Sequence, residues 1–202
     1  MDVLSLKPFA ALCGLVRPVL CICALAAATW GAGTNGLPPA KAQSEGLAEY
    51  QVKAAFLFNF VKFVDWPESS FADARAPIVL GILGENPFGD DLSNIVNGQL
   101  VKGRSIRVGQ FKFGDDLRAC QIVFVSTSER GHAAQILTSL QGADVLTVSD
   151  IDGFAKAGGV MQFVTEESRV RFLVNIEAAS HTRLRINSKL LALARIIHRT
   201  DP

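Results

Sequence analysis

Cysteine is scarce, and its placement matters more than its number: of four, Cys13, Cys21 and Cys23 lie near the start and only Cys120 lies beyond them. If the first segment is removed, a single thiol remains, so no internal disulfide is expected. Cys120 stands in the apolar run Ala-Cys-Gln-Ile-Val-Phe-Val, which suits a buried, inert thiol. Long apolar runs are also missing. The stretch at residues 19–28 is too short to cross about 30 Å of hydrocarbon comfortably, and nothing later approaches roughly 18 uncharged apolar residues.

Neither sign of charge dominates. Setting aside residues 1–42 removes three of the 20 Lys and Arg and one of the 19 acids, leaving 17 against 18. That balance provides no general field for nucleic acid or anionic lipid. Familiar catalytic spacings are lacking as well. His132, His181 and His198 form no His-Glu-x-x-His pair, no serine sits in a Gly-x-Ser-x-Gly turn, and no glycine-rich loop ends in Lys-Ser or Lys-Thr. Asp150-Ile-Asp-Gly153 opens like a calcium loop, but Phe154 and Met161 then fall where oxygen ligands are needed. The sequence is therefore read as non-enzymatic, with no cofactor, no metal and no catalytic residues.

What is present begins with an export signal. Lys7 and Arg17 precede and flank an apolar run, and Ala40-Lys-Ala42 before Gln43 fits a small-residue cleavage site. Residues 1–42 are expected to be a signal peptide cleaved near Ala42, and residues 43–202 one α/β domain working in the periplasm. A domain of that size buries most of its apolar surface without a staple.

Residues 47–64 carry helical spacing in Leu47, Tyr50, Ala54, Leu57, Val61 and Val64, with Val52, Phe56, Phe60 and Phe63 on a second stripe. Such a helix is either hidden between two layers or offers one stripe to a second chain, and Trp66-Pro67 ends it. Strands are expected at residues 77–83, 104–113, 121–125 and 145–148, with helices starting near Asp90-Asp91 and Ser128-Glu129. Alternating strand and helix implies a largely parallel sheet covered on both faces. The two copies of Phe-Gly-Asp-Asp-Leu, beginning at Phe88 and Phe113, are read as helix caps. An antiparallel hairpin follows at residues 160–174, and Ser188 is expected to cap a final helix with Leu190, Leu193, Ala194 and Ile197 inward. The sheet is therefore mixed.

Two sets of candidate binding residues emerge. Gly158-Gly159 permits a tight turn or a close backbone approach, and with the stripe of Phe56, Phe60 and Phe63 it forms the expected partner-binding surface. Arg169 and Arg171 on the hairpin, then Arg183 and Arg185 on an extended segment, each present two guanidiniums on one side. If these pairs meet, they favour a carboxylate, phosphate or acidic partner, with Arg171, Arg183, Arg185 and Asn187 as ligand-binding residues. That arrangement would suit a periplasmic small-molecule (anion) receptor feeding a sensor kinase or transporter.

Several segments then resemble a known family: Tyr50-Gln-Val-Lys-Ala-Ala-Phe-Leu-Phe-Asn-Phe60, Phe63-Val-Asp-Trp-Pro67, Leu146-Thr-Val-Ser-Asp150, Gly158-Gly159 with Phe163, and Arg171-Phe-Leu-Val-Asn175 with Ser188-Lys-Leu-Leu191. Taken in this order they resemble the YfiR-like family of periplasmic proteins over nearly the whole mature chain. The resemblance implies a single α/β domain, often a homodimer, that represses an inner-membrane diguanylate cyclase from the periplasm. It also implies lower cyclic di-GMP signalling, an effect on biofilm, and sequestration by an OmpA-like outer-membrane lipoprotein. Two positions depart from the family: Cys120 has no pairing partner, and Leu173 stands where the pattern often has an acid.

Overall fold

A computed structural model describes residues 40–198, with side chains from Gly46 onward. The expected leader lies outside these residues, apart from residues 40–42 at the start of the first helix. This helix, α1 (Ala40–Phe63), stops just ahead of Trp66-Pro67, and the next two residues form a short strand, β1 (Val64–Asp65). Ala54, Leu57, Phe60, Val61 and Val64 have no exposed surface. Their steps of three and four put them on one side of α1, which lies on a sheet. The opposite side faces outward, with Gln51, Val52 and Ala55 exposed, and Leu47, two turns before Ala54 on the inward stripe, is also exposed. The helix is therefore hidden on one face only.

The remaining elements follow as β2 (Ile78–Leu83), α2 (Asp91–Val96), β3 (Leu100–Val101), β4 (Arg104–Phe111) and β5 (Ile122–Val125). A 3-10 turn, Thr127–His132, leads into α3 (Ala133–Ser139) and β6 (Leu146–Ser149). The chain ends in β7 (Met161–Glu166), β8 (Arg169–Asn175), α4 (Ile176–Ser180), β9 (Arg185–Ile186), α5 (Ser188–Leu191) and β10 (Arg195–Ile197).

Eight strands form one sheet in the order β10-β8-β7-β6-β5-β2-β4-β3. β4, β2, β5, β6 and β7 run parallel, whereas β8 returns antiparallel to β7. Glu167 and Ser168, at φ 49° and 60°, make the two-residue turn of that hairpin. The central strands β2, β5 and β6 are buried at every position, as strands covered on both faces must be. Ile78, Leu80, Ile122, Phe124, Leu146 and Val148 pack under α1 and α2. Val79, Leu83, Val123 and Val125 point the other way, toward Ile136 of α3, Leu140 just past its end, and Phe154. The α/β class with a mixed, mostly parallel sheet and helices on both faces is what the structure shows.

The end of the chain differs from expectation. Asn187, not Ser188, caps α5, accepting from the Lys189 backbone N–H at 2.9 Å. This helix lasts one turn before β10 pairs with β8 in parallel, aligning Arg195, Ile196 and Ile197 with Leu173, Val174 and Asn175. Leu193, expected inward, is 71% exposed. The apolar spacing fits a helix, but the unpaired edge of β8 offers backbone partners that override it. The second Phe-Gly-Asp-Asp-Leu also starts no helix. Asp115 and Asp116 instead accept from the backbone N–H groups of Lys112 and Arg118, closing two loop turns.

Candidate functional site

The chain leaves β2 for β4 on one side of the sheet and then crosses to β5 on the other, so its winding reverses between β2 and β5. Beyond the carboxyl ends of such strands, doubly wound sheets usually hold their ligands. Here the chain's own groups bond across the mouth of the crevice. A Cβ on Gly84 would lie 2.3 Å from Ser128 Oγ, and Gly84 has φ +90°. Ser128 Oγ accepts from the Glu85 backbone N–H at 2.9 Å, and the Gln110 side chain donates to the Gly84 carbonyl.

Beside this closure, past the end of β6, lies a buried polar cluster. Lys53 Nζ is 2.7 Å from Asp150 Oδ2 and 2.7 Å from Glu49 Oε1, while the Tyr50 hydroxyl donates to the same Asp150 oxygen at 2.8 Å. The side chains of Lys53 and Asp150 are 4% and 7% exposed. Burial, and then the hydrogen bond and charge of Asp150, push the Tyr50 phenol well above its usual range. Asp150 Oδ1 is buried without a partner among the described residues. Sequence reasoning passed over this cluster. Its one signal was a lysine beside the inward face of an otherwise apolar helix.

At the amino ends of β6 and β7 the molecule is open. A groove of about 590 Å³ runs between α3 and α4, over the starts of these strands. Leu137, Leu140, Val145 and Val160 supply apolar lining. Thr147, which accepts from the Val160 backbone N–H, and Asn175 also line it. Asn175 ties its surroundings together, donating to the Ala155 carbonyl at 2.7 Å and accepting from the Ala178 N–H at 2.9 Å. Gly158 opens onto the groove at φ +109°, with nothing within 4 Å of where its Cβ would be. Gly159 is a different case: a Cβ there would meet the Phe154 ring at 2.2 Å, so close packing explains it and no partner surface remains.

The aromatic stripe of α1 divides in the same manner. Phe60 is fully buried, 5.7 Å from Phe163 and 5.1 Å from Phe172 between ring centroids. It belongs to the core and has no surface to offer a partner. Phe56 and Phe63 are half-buried, with Phe56 5.5 Å from Phe172.

The expected arginine cluster does not assemble. Arg171 and Arg195 reach Glu166 at 3.7 and 2.6 Å beside the hairpin turn. Arg183, beyond the far end of β8, holds Asp144 Oδ2 at 2.5 Å. Arg185 sits in β9 opposite Asp65, and Asn187 is engaged as a cap. The geometry spreads these cations along the chain, each arginine pair at its own end of β8, because β8 and α4 separate them. Burial works against the charged form of Asp144, but the hydrogen bonds and charge of Arg183, helped by Ser70, hold its carboxyl below the usual range. Burial pushes the Cys120 thiol up to about 11, so it stays protonated at neutral pH.

Among the described residues, no three His, Cys, Asp or Glu side chains gather as a metal set, and no helix is long and apolar enough to cross a membrane. No curated protein matches the chain. The YfiR/HmsC-like family model matches residues 50–195. Within that span, segments far apart in sequence meet in space: Tyr50 and Lys53 reach Asp150, and Phe56 and Phe60 reach Phe163 and Phe172. The match covers most of the chain and the fold gathers its separated segments into one core; the chain belongs to the YfiR/HmsC-like family.

Proposed function

We propose that this chain, as a mature domain of residues 43–202 freed from its signal peptide, binds the periplasmic domain of an inner-membrane diguanylate cyclase and holds it inactive. Family membership over residues 50–195 carries the reading, since YfiR-like proteins are periplasmic regulators of diguanylate cyclases and not enzymes. The contact surface is the outward side of α1, where Val52 is exposed and Phe56 and Phe63 are half-buried. Binding there favours the inactive cyclase by no more than the difference in affinity for its two states. An OmpA-like outer-membrane lipoprotein would relieve repression by competing for the protein, and a homodimer is its resting form.

Deleting the gene should raise cyclic di-GMP and increase biofilm. Unchanged nucleotide levels in the deletion strain, with the cyclase present, would remove the basis for repression. Val52→Asp places a charge on the outward side of α1 without entering the core. It should lower cyclase capture in a pull-down while leaving the unfolding midpoint nearly unchanged.

A further inference from the structure

The groove between α3 and α4 has a lining whose charge selects its ligand. Gln141, Glu177 and His181 stand along it, and none of their side chains has a hydrogen bond or ion pair among the described residues. No lysine or arginine lines it. Beneath these groups Leu137, Leu140, Val145 and Val160 stand beside the polar Thr147 and Asn175, and a volume of about 590 Å³ falls within the range of small-molecule sites. A buried anion here would meet the Glu177 carboxylate with no cation to offset it. A cation meets one opposite charge, on Glu177, and the amide oxygen of Gln141 as an acceptor.

We infer that this groove is a binding site for a small organic cation, an amine whose ammonium group faces Glu177, Gln141 and His181 and whose apolar body lies on Leu137, Leu140, Val145 and Val160. Gly158 contributes by absence, since any side chain there would project into the open space. The site is independent of Arg171 and Arg183, which are engaged elsewhere with Glu166 and Asp144. It is also independent of cyclase binding, because the groove and the outward side of α1 are formed by different elements.

The test is calorimetric titration of the purified protein with two probes of matched body and opposite head, phenylbutylammonium and phenylvalerate. The ammonium should bind at least about tenfold more tightly than the carboxylate, because one head is attracted and the other repelled by Glu177. Glu177→Gln should weaken the ammonium by about fivefold, the scale of one partly exposed charge pair, and reduce the discrimination. Ala134→Trp, at an exposed position on the α3 wall, should fill the groove and abolish binding. Equal affinity for the two probes, no measurable heat with the ammonium at millimolar concentration, or ammonium binding unchanged in Glu177→Gln would overturn the assignment. If Ala134→Trp does not fold, Glu177→Gln decides alone, because its side chain is exposed and has no partner to lose.

Discussion

At the carboxyl ends of β2, β5 and β6 the chain spends its own side chains on closure: Ser128 occupies the space beside Gly84, and Lys53, Tyr50 and Asp150 lock α1 to the end of β6. At the amino ends of β6 and β7 the lining is looser, and Gln141, Glu177 and His181 keep unspent polar groups around an open groove. The two ends belong to one sheet yet have opposite chemistry. A doubly wound sheet need not use its customary crevice: once the chain's own groups bond across that crevice, an open groove elsewhere becomes the place for a ligand.

The contrast can be broken or sharpened by mutation, beginning with the layer that both ends share. Phe60→Ala should cost about 4 kcal/mol in urea unfolding, as expected for a fully buried aromatic side chain leaving a cavity. A loss below about 1 kcal/mol would return Phe60 to the surface, within the normal range for exposed positions. At the closed end, Lys53→Met leaves Asp150 buried beside Tyr50 without its cation and should cost about 3 kcal/mol. The double variant Lys53→Met with Asp150→Leu should recover part of that loss, and additive losses would show that the two groups are not coupled.

Gly84→Ala should cost about 2 kcal/mol, since alanine is strained at φ +90° and its methyl group would press on Ser128. At the open end, Glu177→Gln should change stability by no more than about 0.5 kcal/mol, because its side chain breaks no contact. A large loss there would mean that the groove is as tightly tied as the opposite crevice.

The smallest effect is confined to acid. Asp144 titrates below its unfolded value, so its pairing stabilises the fold fully above about pH 4 and is lost as pH falls through the lower folded value. Wild type and Asp144→Asn should therefore differ at neutral pH and converge in strong acid. A constant gap in unfolding midpoint across the acid range would show that Asp144 and Arg183 are not coupled.

Much of the fold was legible from residue patterns. The inward stripe of α1, the buried runs at β2, β5 and β6, and the hairpin of β7 and β8 all have the periodicity or composition of their final state. β1, β9 and β3 were not legible, since two residues display no period. The groove escaped for another reason. Its lining is drawn from residues 134–182, through α3, β6, the turn at Gly158 and α4, and no local spacing connects them.

The sequence alone determined the alternation of elements, the near-neutral charge, the single cysteine beyond residue 23 and the family, because each depends on residue identity or on neighbours a few positions apart. Tertiary packing decided which aromatic residues of α1 became core, why residues 195–197 form a strand, and why Arg171 and Arg183, which look convergent in one dimension, are held by separate acids. It also closed one end of the sheet and left the other open. Such outcomes depend on which backbone edges and charges lie nearest in space once the chain is packed, and distance along the chain carries no record of that.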